Sequence, residues 1–212
     1  MKQFIITISA IVLLITGTMA QKKFEGEIIY KIEYQNLPPE MAQYASMMPD
    51  RMKMLFSDDK TRIEQETMGG KQVIIYDYKK GKVIILVDAM GQKIMTRDEI
   101  QSNNEPKPEI KYIDGETKQI AGYECKKAKI INEKEKSILT VFYTEEINAA
   151  KPKEDFEGLK GFPLEYELSQ NGITMKLYAQ SVEERKVDDK LFEAPEEGYT
   201  EMSREQLQQL GR

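Results

Sequence analysis

Alternation at period two dominates the stretch FEGEIIYKIEY, Phe24 to Tyr34. Phe24, Gly26, Ile28, Tyr30, Ile32 and Tyr34 fall on one side, and Glu25, Glu27, Lys31 and Glu33 on the other. Successive side chains of a strand point to opposite faces, so this segment can bury one face and wet the other only as β structure. A second segment sharpens the constraint. In LEYELSQNGITMKLYA, Asn171-Gly172 is the dipeptide preferred in a two-residue type I′ hairpin. Pairing across it opposes Leu168 to Met175, Tyr166 to Leu177 and Leu164 to Ala179 on one face, and Glu167 to Lys176 on the other. Turn chemistry and hydrophobic period therefore agree on an antiparallel sheet with one apolar face.

Between these anchors the pattern changes once. Pro38-Pro39 stops the first strand and suits a helix start, and Met41, Tyr44, Ala45 and Met48 follow as one helical stripe. Pro49 disfavours helical geometry at Met48, so the helix is expected to be short. Met52, Met54 and Phe56 then alternate as a strand, Asp58-Asp59-Lys60 turns it, and Thr61 to Thr67 returns before Gly69-Gly70. QVIIYDY and KVIILVD form the next pair. Val83 to Val87 is apolar throughout, so something must cover both faces of that strand.

A short strand is expected at Gln92 to Thr96, and QSNNEPKP, 101–108, reads as a long polar loop. In IAGYECKKAKII the apolar phase slips between Cys125 and Ala128, which a bulge at Lys126-Lys127 would repair; alternatively the strand becomes exposed there. After a charged turn at Asn132 to Lys136, SILTVFYT supplies another strand. The chain closes with KVDDKLFEAPEEGY, in which Phe192 is expected to plug the barrel edge, and a polar helix near Arg204 to Leu210. The total is roughly ten strands with too few helices for βαβ units. The fold class expected is mainly β (α+β): a single large curved antiparallel sheet forming a half-barrel, with a short helical lid after the first strand and a short C-terminal helix.

Residues 1–20 read as a secretory signal peptide: Lys2 precedes an apolar run from Ile5 to Ile15, and Thr18-Met19-Ala20 is a small-residue cleavage site. One domain is expected over 21–212, in the periplasm or secreted, and with Gln21 and not a cysteine directly after the cleavage site no lipoprotein anchor is expected. Removal of Lys2 leaves 30 basic against 36 acidic side chains, without a basic stripe, so nucleic acid is not an expected partner. The chain has no histidine, which removes Ser-His and Cys-His nucleophile systems and His-based metal sites. With one cysteine, Cys125, it forms no internal disulfide, and that thiol reads as a small buried hydrophobe. No carboxylate pair stands in an apolar setting, so the expectation is a protein that is not an enzyme and needs no cofactor.

The order of these segments carries a resemblance. A leader is followed by FEGEIIYKIEY, the methionine-rich helix and SDDKTRIE, then by TKQIAGYECKKAKI, FYTEEI, GFPLEYEL and KVDDKLFEAPEEGY. This resembles a family of exported proteins common in Bacteroidetes and related to the lipoprotein-carrier (LolA-like) half-barrel proteins. The resemblance implies a concave apolar face under a helical lid, in a cavity that in the carriers takes acyl chains. The carriers also use an arginine in that cavity. Arg51 and Arg62 stand near the lid, but no motif fixes either in that role.

Five methionines crowd MAQYASMMPDRMKM, Met41 to Met54. They can be core filler, a flexible lid that repacks around varied apolar shapes, or thioether ligands for Cu(I). On the lid reading, Tyr44, Met48, Met52, Met54 and Phe56 face one groove and bind a lipid or acylated ligand. The function expected is then a non-enzymatic carrier, with an envelope protein as a further partner. A structural or interaction module whose groove is filled by its own side chains, or a Cu(I)-binding protein, remains the alternative.

Overall fold

The alternation at the start of the chain becomes β1 (Gly26–Gln35), whose side chains are buried and half-exposed in turn from Gly26 to Ile32. The structure is a computed structural model that describes residues 22–100, 107–132, 137–150, 156–170, 173–204 and 206. Expectations for residues 1–20, most of 101–108, the tip of the 132–136 turn, and Asn171-Gly172 lie outside those residues. So does most of the C-terminal helix, of which only Arg204 and Gln206 are described, both helical.

After β1 come β2 (Arg51–Ser57), β3 (Lys60–Thr67), β4 (Gly70–Asp77), β5 (Lys82–Ala89) and β6 (Gln92–Glu99). Then follow β7 (Glu109–Ile120), β8 (Tyr123–Asn132), β9 (Ser137–Thr144), β10 (Phe162–Gln170), β11 (Ile173–Glu184) and β12 (Thr200–Glu201). All twelve join one sheet in the order β12-β6-β5-β4-β3-β2-β1-β11-β10-β9-β8-β7. Every pairing is antiparallel except that of β12 with β6. The sheet curves strongly enough that β7, at its far edge, approaches β11.

The hairpin arms pair in the expected register, Tyr166 with Leu177, Glu167 with Lys176 and Leu168 with Met175. The ion pair differs. Lys176 reaches diagonally to Glu165 at 3.3 Å, which Lys118 also meets at 2.5 Å. Glu165 is buried, and a buried carboxylate needs compensation more than the exposed Glu167 does.

The expected bulge at Lys126-Lys127 is on the partner strand instead. The β7–β8 register shifts between Ile113 and Thr117, opposite those lysines, while β8 pairs β9 continuously. Gly115 takes φ 78° within that excursion, a left-handed conformation that glycine adopts without a Cβ clash.

Residues opposite one another across a ladder share a face, so the register sorts the side chains into two sets. The concave set runs from Ile63, Met54 and Met52 through Ile28, Tyr30 and Ile32 to Leu177, Tyr166, Val141 and Ala128. It forms the larger core. The convex set over β2–β6 comprises Leu55, Val73, Ile75, Ile84, Leu86 and Met95, packed under Val187, Phe192, Ala194 and Tyr199. The closing segment KVDDKLFEAPEEGY is a strap over one face of the Val83–Val87 run, packing on Ile84 and Leu86, whereas Val83, Ile85 and Val87 on the concave side stay half-exposed; the expectation that both faces are covered is met on the convex face alone. Phe192 is the centre of that strap and not a plug in the barrel edge.

The β1–β2 connection is helical only from Pro39 to Ala42 (α1) and, as a 3-10 turn, from Ala45 to Met47. Neither piece buries a side chain. Pro38 caps α1 without a side-chain acceptor, and Met48 is already extended before Pro49. The helical stripe expected from Met41 to Met48 is therefore broken into two short turns.

Candidate functional site

A groove of about 380 Å³ opens in the concave face. Its walls are Tyr30, Ile32 and Tyr34 of β1, Met52 and Met54 of β2, Ile63 and Gln65 of β3, Tyr76 of β4, Phe162, Pro163, Tyr166 and Leu168 of β10, and Met175 and Leu177 of β11, with Pro49 and Phe156 from connections. No lining residue carries a charge. The pairing that creates it joins distant parts of the chain: Tyr34 opposes Met175 and Ile32 opposes Leu177 across β1–β11.

The tyrosines bring hydroxyls into the apolar wall, yet two of them turn to backbone. Tyr30 donates to the carbonyl oxygen of Pro163 at 2.6 Å, and Tyr34 donates to that of Pro49 at 2.8 Å. Burial, with smaller contributions from Tyr166 and Cys125, holds the Tyr30 phenol well above its ordinary pKa. Burial and then Asp50 raise that of Tyr34. Both rings thus present carbon to the groove at neutral pH. Gln65 supplies the one side-chain amide of the lining. A stack of rings closes the bottom: Phe156 lies edge-on to Tyr166 at 5.0 Å, and Phe162 edge-on to Phe56 at 5.4 Å.

The structure divides the five residues singled out from sequence. Met52 and Met54 line the groove and are nearly fully buried. Phe56 shares their face but stands one layer deeper, in the core behind Phe162. Tyr44 is exposed and Met48 half-exposed, and neither is part of the groove wall. Arg51 and Arg62 are also outside it. Arg51 is exposed, whereas Arg62 lies on the convex face, bound to Glu64 at 2.5 Å and donating to the carbonyl oxygen of Leu191 at 2.8 Å. There it ties down the strap.

The remaining wall residues belonged to stretches whose apolar face was visible in sequence. What sequence could not supply was that the faces of β1 and the β10–β11 hairpin adjoin. Phe156 had no periodic context to mark it.

A second, polar hollow of about 540 Å³ lies beneath the strap, between Arg62, Lys71 and Lys190 on one hand and Asp88, Glu193 and Glu196 on the other. Burial raises Glu64 beside it, but hydrogen bonds from Lys71 and Arg62 outweigh that and leave its carboxyl below the ordinary value. Charges of both signs line it, and three of them pair with residues beside it: Arg62 and Lys71 with Glu64, and Asp88 with Lys93. Among the described residues no group of three His, Cys, Asp or Glu side chains is placed to hold a metal ion.

No family model matches the chain, and no curated protein matches it. Among solved structures it is similar to PNGF-II. For the crystals in space group P21 the TM-score is 0.56, with 18% identity over 88% of this chain and 33% of that one. For space group C2 it is 0.55, with 20% identity over 88% and 32%. The chain spans about one third of the length of PNGF-II. At this identity the likeness concerns the fold.

Proposed function

We infer that the protein is a non-enzymatic binding protein that holds an acyl chain or another apolar molecule in the concave groove. The observation that carries this is the lining itself: apolar and aromatic, uncharged, with the hydroxyls of Tyr30 and Tyr34 spent on backbone carbonyls at Pro163 and Pro49. The volume falls in the ~300–1,000 Å³ typical of small-molecule sites, and such sites are mostly apolar with few polar groups. A charged head group would find no partner inside and would stay at the opening. Met52 and Met54 suit a wall that accepts variable chain shapes. The sequence resemblance to lipoprotein carriers points the same way, and the expected leader would place the protein in the periplasm or outside the cell. Holding and releasing the ligand asks for no chemistry at the site.

The test is titration of the purified chain with a fluorescent fatty-acid probe, with native mass spectrometry of the same preparation. Saturable binding of one probe per chain, displaced by an unlabelled acyl chain, is expected. A groove that takes up neither probe nor native lipid would overturn the reading and favour a self-filled structural module.

A further inference from the structure

We propose that the loop tips at one end of the sheet form a contact surface for a lipid bilayer, through which the groove exchanges its ligand. The register places the β1–β2 connection and the β3–β4 and β5–β6 turns at the same end, along with the end of β10 and the starts of β9 and β11. Five of the six exposed large hydrophobic side chains among the described residues are there: Tyr44, Met47, Met68, Met90 and Ile138. The sixth, Leu191, is on the strap. Exposed apolar residues scattered singly need no explanation, but segregation to one rim does.

Met90 is the most telling. It is 95% exposed at the tip of a two-residue hairpin, with φ 52° followed by Gly91 at φ 76°. Positive φ at both positions is the type I′ signature, which favours Asn-Gly and is costly for a residue such as methionine. Neither the turn nor the core asks for methionine at Met90. The β3–β4 hairpin also carries a methionine at its two-residue tip, Met68, 78% exposed and followed by Gly69, although neither residue takes positive φ there.

The groove reaches this same end. Tyr34, Pro49, Gln65, Leu168 and Met175 of its lining all lie within three residues of the strand termini there. The partner is a bilayer and not a protein because the apolar groups project from separate tips instead of merging into one packed patch. Charges beside the β3–β4 and β5–β6 tips are matched: Lys71 with Glu66 at 3.0 Å and Lys93 with Asp88 at 3.4 Å. Contact should therefore rest on shallow apolar insertion, as at other interfacial sites, and not on attraction to anionic lipid. The exchange role rests on the groove reading above; the surface contact does not.

The experiment is sedimentation of the chain beginning at Gln21 with phosphatidylcholine vesicles, with and without phosphatidylglycerol, at low and high salt. A Met68→Ser/Met90→Asn variant is run alongside. Asn fits the turn at position 90, so the variant is expected to fold at least as well as the parent, which its denaturation midpoint checks. The parent should bind both vesicle types at either salt concentration. The variant should lose at least tenfold in partition and in the rate of probe transfer from vesicles, with unchanged affinity for soluble probe. The proposal is overturned by a parent that ignores vesicles, by binding confined to anionic vesicles at low salt, or by a variant that binds as the parent does. Cross-linking of the tips to an envelope protein, with no vesicle binding, would also overturn it. Vesicle binding without probe binding would sink the groove reading alone.

Discussion

The hydroxyl of Tyr30 donates to the carbonyl oxygen of Pro163 at 2.6 Å, joining β1 to β10 across the strand that separates them, β11. A bond between strands two apart on the concave face favours curvature, and it lies in the wall of the groove. Tyr30→Phe keeps the ring but leaves a buried carbonyl unpaired. It should cost about 1–3 kcal/mol in urea denaturation. The wild-type protein should also carry an alkaline signature. The folded-state pKa of this phenol is raised above its ordinary 10.0. The unfolded chain therefore releases its proton first, and stability present below about pH 10 falls as pH rises further. Tyr30→Phe should flatten that fall. A variant whose stability matches the parent at every pH would remove the bond from the argument.

Cys125 is fully buried on β8, its thiol directed to the carbonyl oxygen of Tyr123 at 3.7 Å. Burial, then Glu146 and Glu165, push it up to about 11, against a smaller opposing effect of Lys118. The expected result with a thiol reagent at pH 7–8 is no labelling until denaturant is added. Because the folded pKa is raised from 9.0, this group's stabilisation is complete below pH 9 and is lost as pH rises toward 11. Within that window the slope contributed is about 1.4 kcal/mol per pH unit. Cys125→Ser, placing a hydroxyl where no partner is assured, should destabilise by about 1–3 kcal/mol. Fast labelling of the native protein would contradict the burial.

The strap offers a separate lever. Phe192 covers Leu55, Val73, Ile75 and Leu86 on the face opposite the groove. Phe192→Ala should cost about 3–5 kcal/mol, read as a lower denaturation midpoint and faster amide exchange in β4 and β5. Probe affinity at temperatures where the variant stays folded should not change, since no strap residue lines the groove. Loss of both in proportion would mean that the two faces are one cooperative unit.

What was legible in sequence follows from how far each signal had to reach. The hairpin register around Glu167 and Lys176 is set by six residues and a turn dipeptide, so period and turn chemistry sufficed. The expectation that both faces of Val83–Val87 are covered was met on the convex face alone, where the cover, Phe192, lay about a hundred residues away. Strand β7 was missed because EIKYIDGETKQI is a mostly exposed, charged edge, interrupted at Gly115, and edges need no apolar period. The two residues of β12 bond in parallel to β6 and have no pattern at all. At the site, Met52 and Met54 were found because they alternate. Tyr44 and Met48 came from a helical stripe that two prolines cut too short to persist, and β1–β11 pairing, which builds half the groove, leaves no local trace.

Ile63 gives the most direct handle on the groove. It sits on β3 between Met54 of β2 and Ile74 of β4, half-exposed, with its side chain in the groove wall. Trp at this position would project into open volume instead of into packed core. Overpacking of a filled core typically costs about 1–3 kcal/mol, and a cavity should absorb the extra ring for less. Ile63→Trp is therefore expected to keep the parent's denaturation midpoint within about 1 kcal/mol while lowering fatty-acid probe affinity at least tenfold. Met54→Ala, at a site with 4% exposure, should behave differently, losing about 2–5 kcal/mol of stability together with part of the probe affinity. Tyr44→Ala, outside the groove wall, should change neither by much. If Ile63→Trp destabilises as a core residue would, the groove is closed in solution; if it binds probe as the parent does, the ligand lies elsewhere.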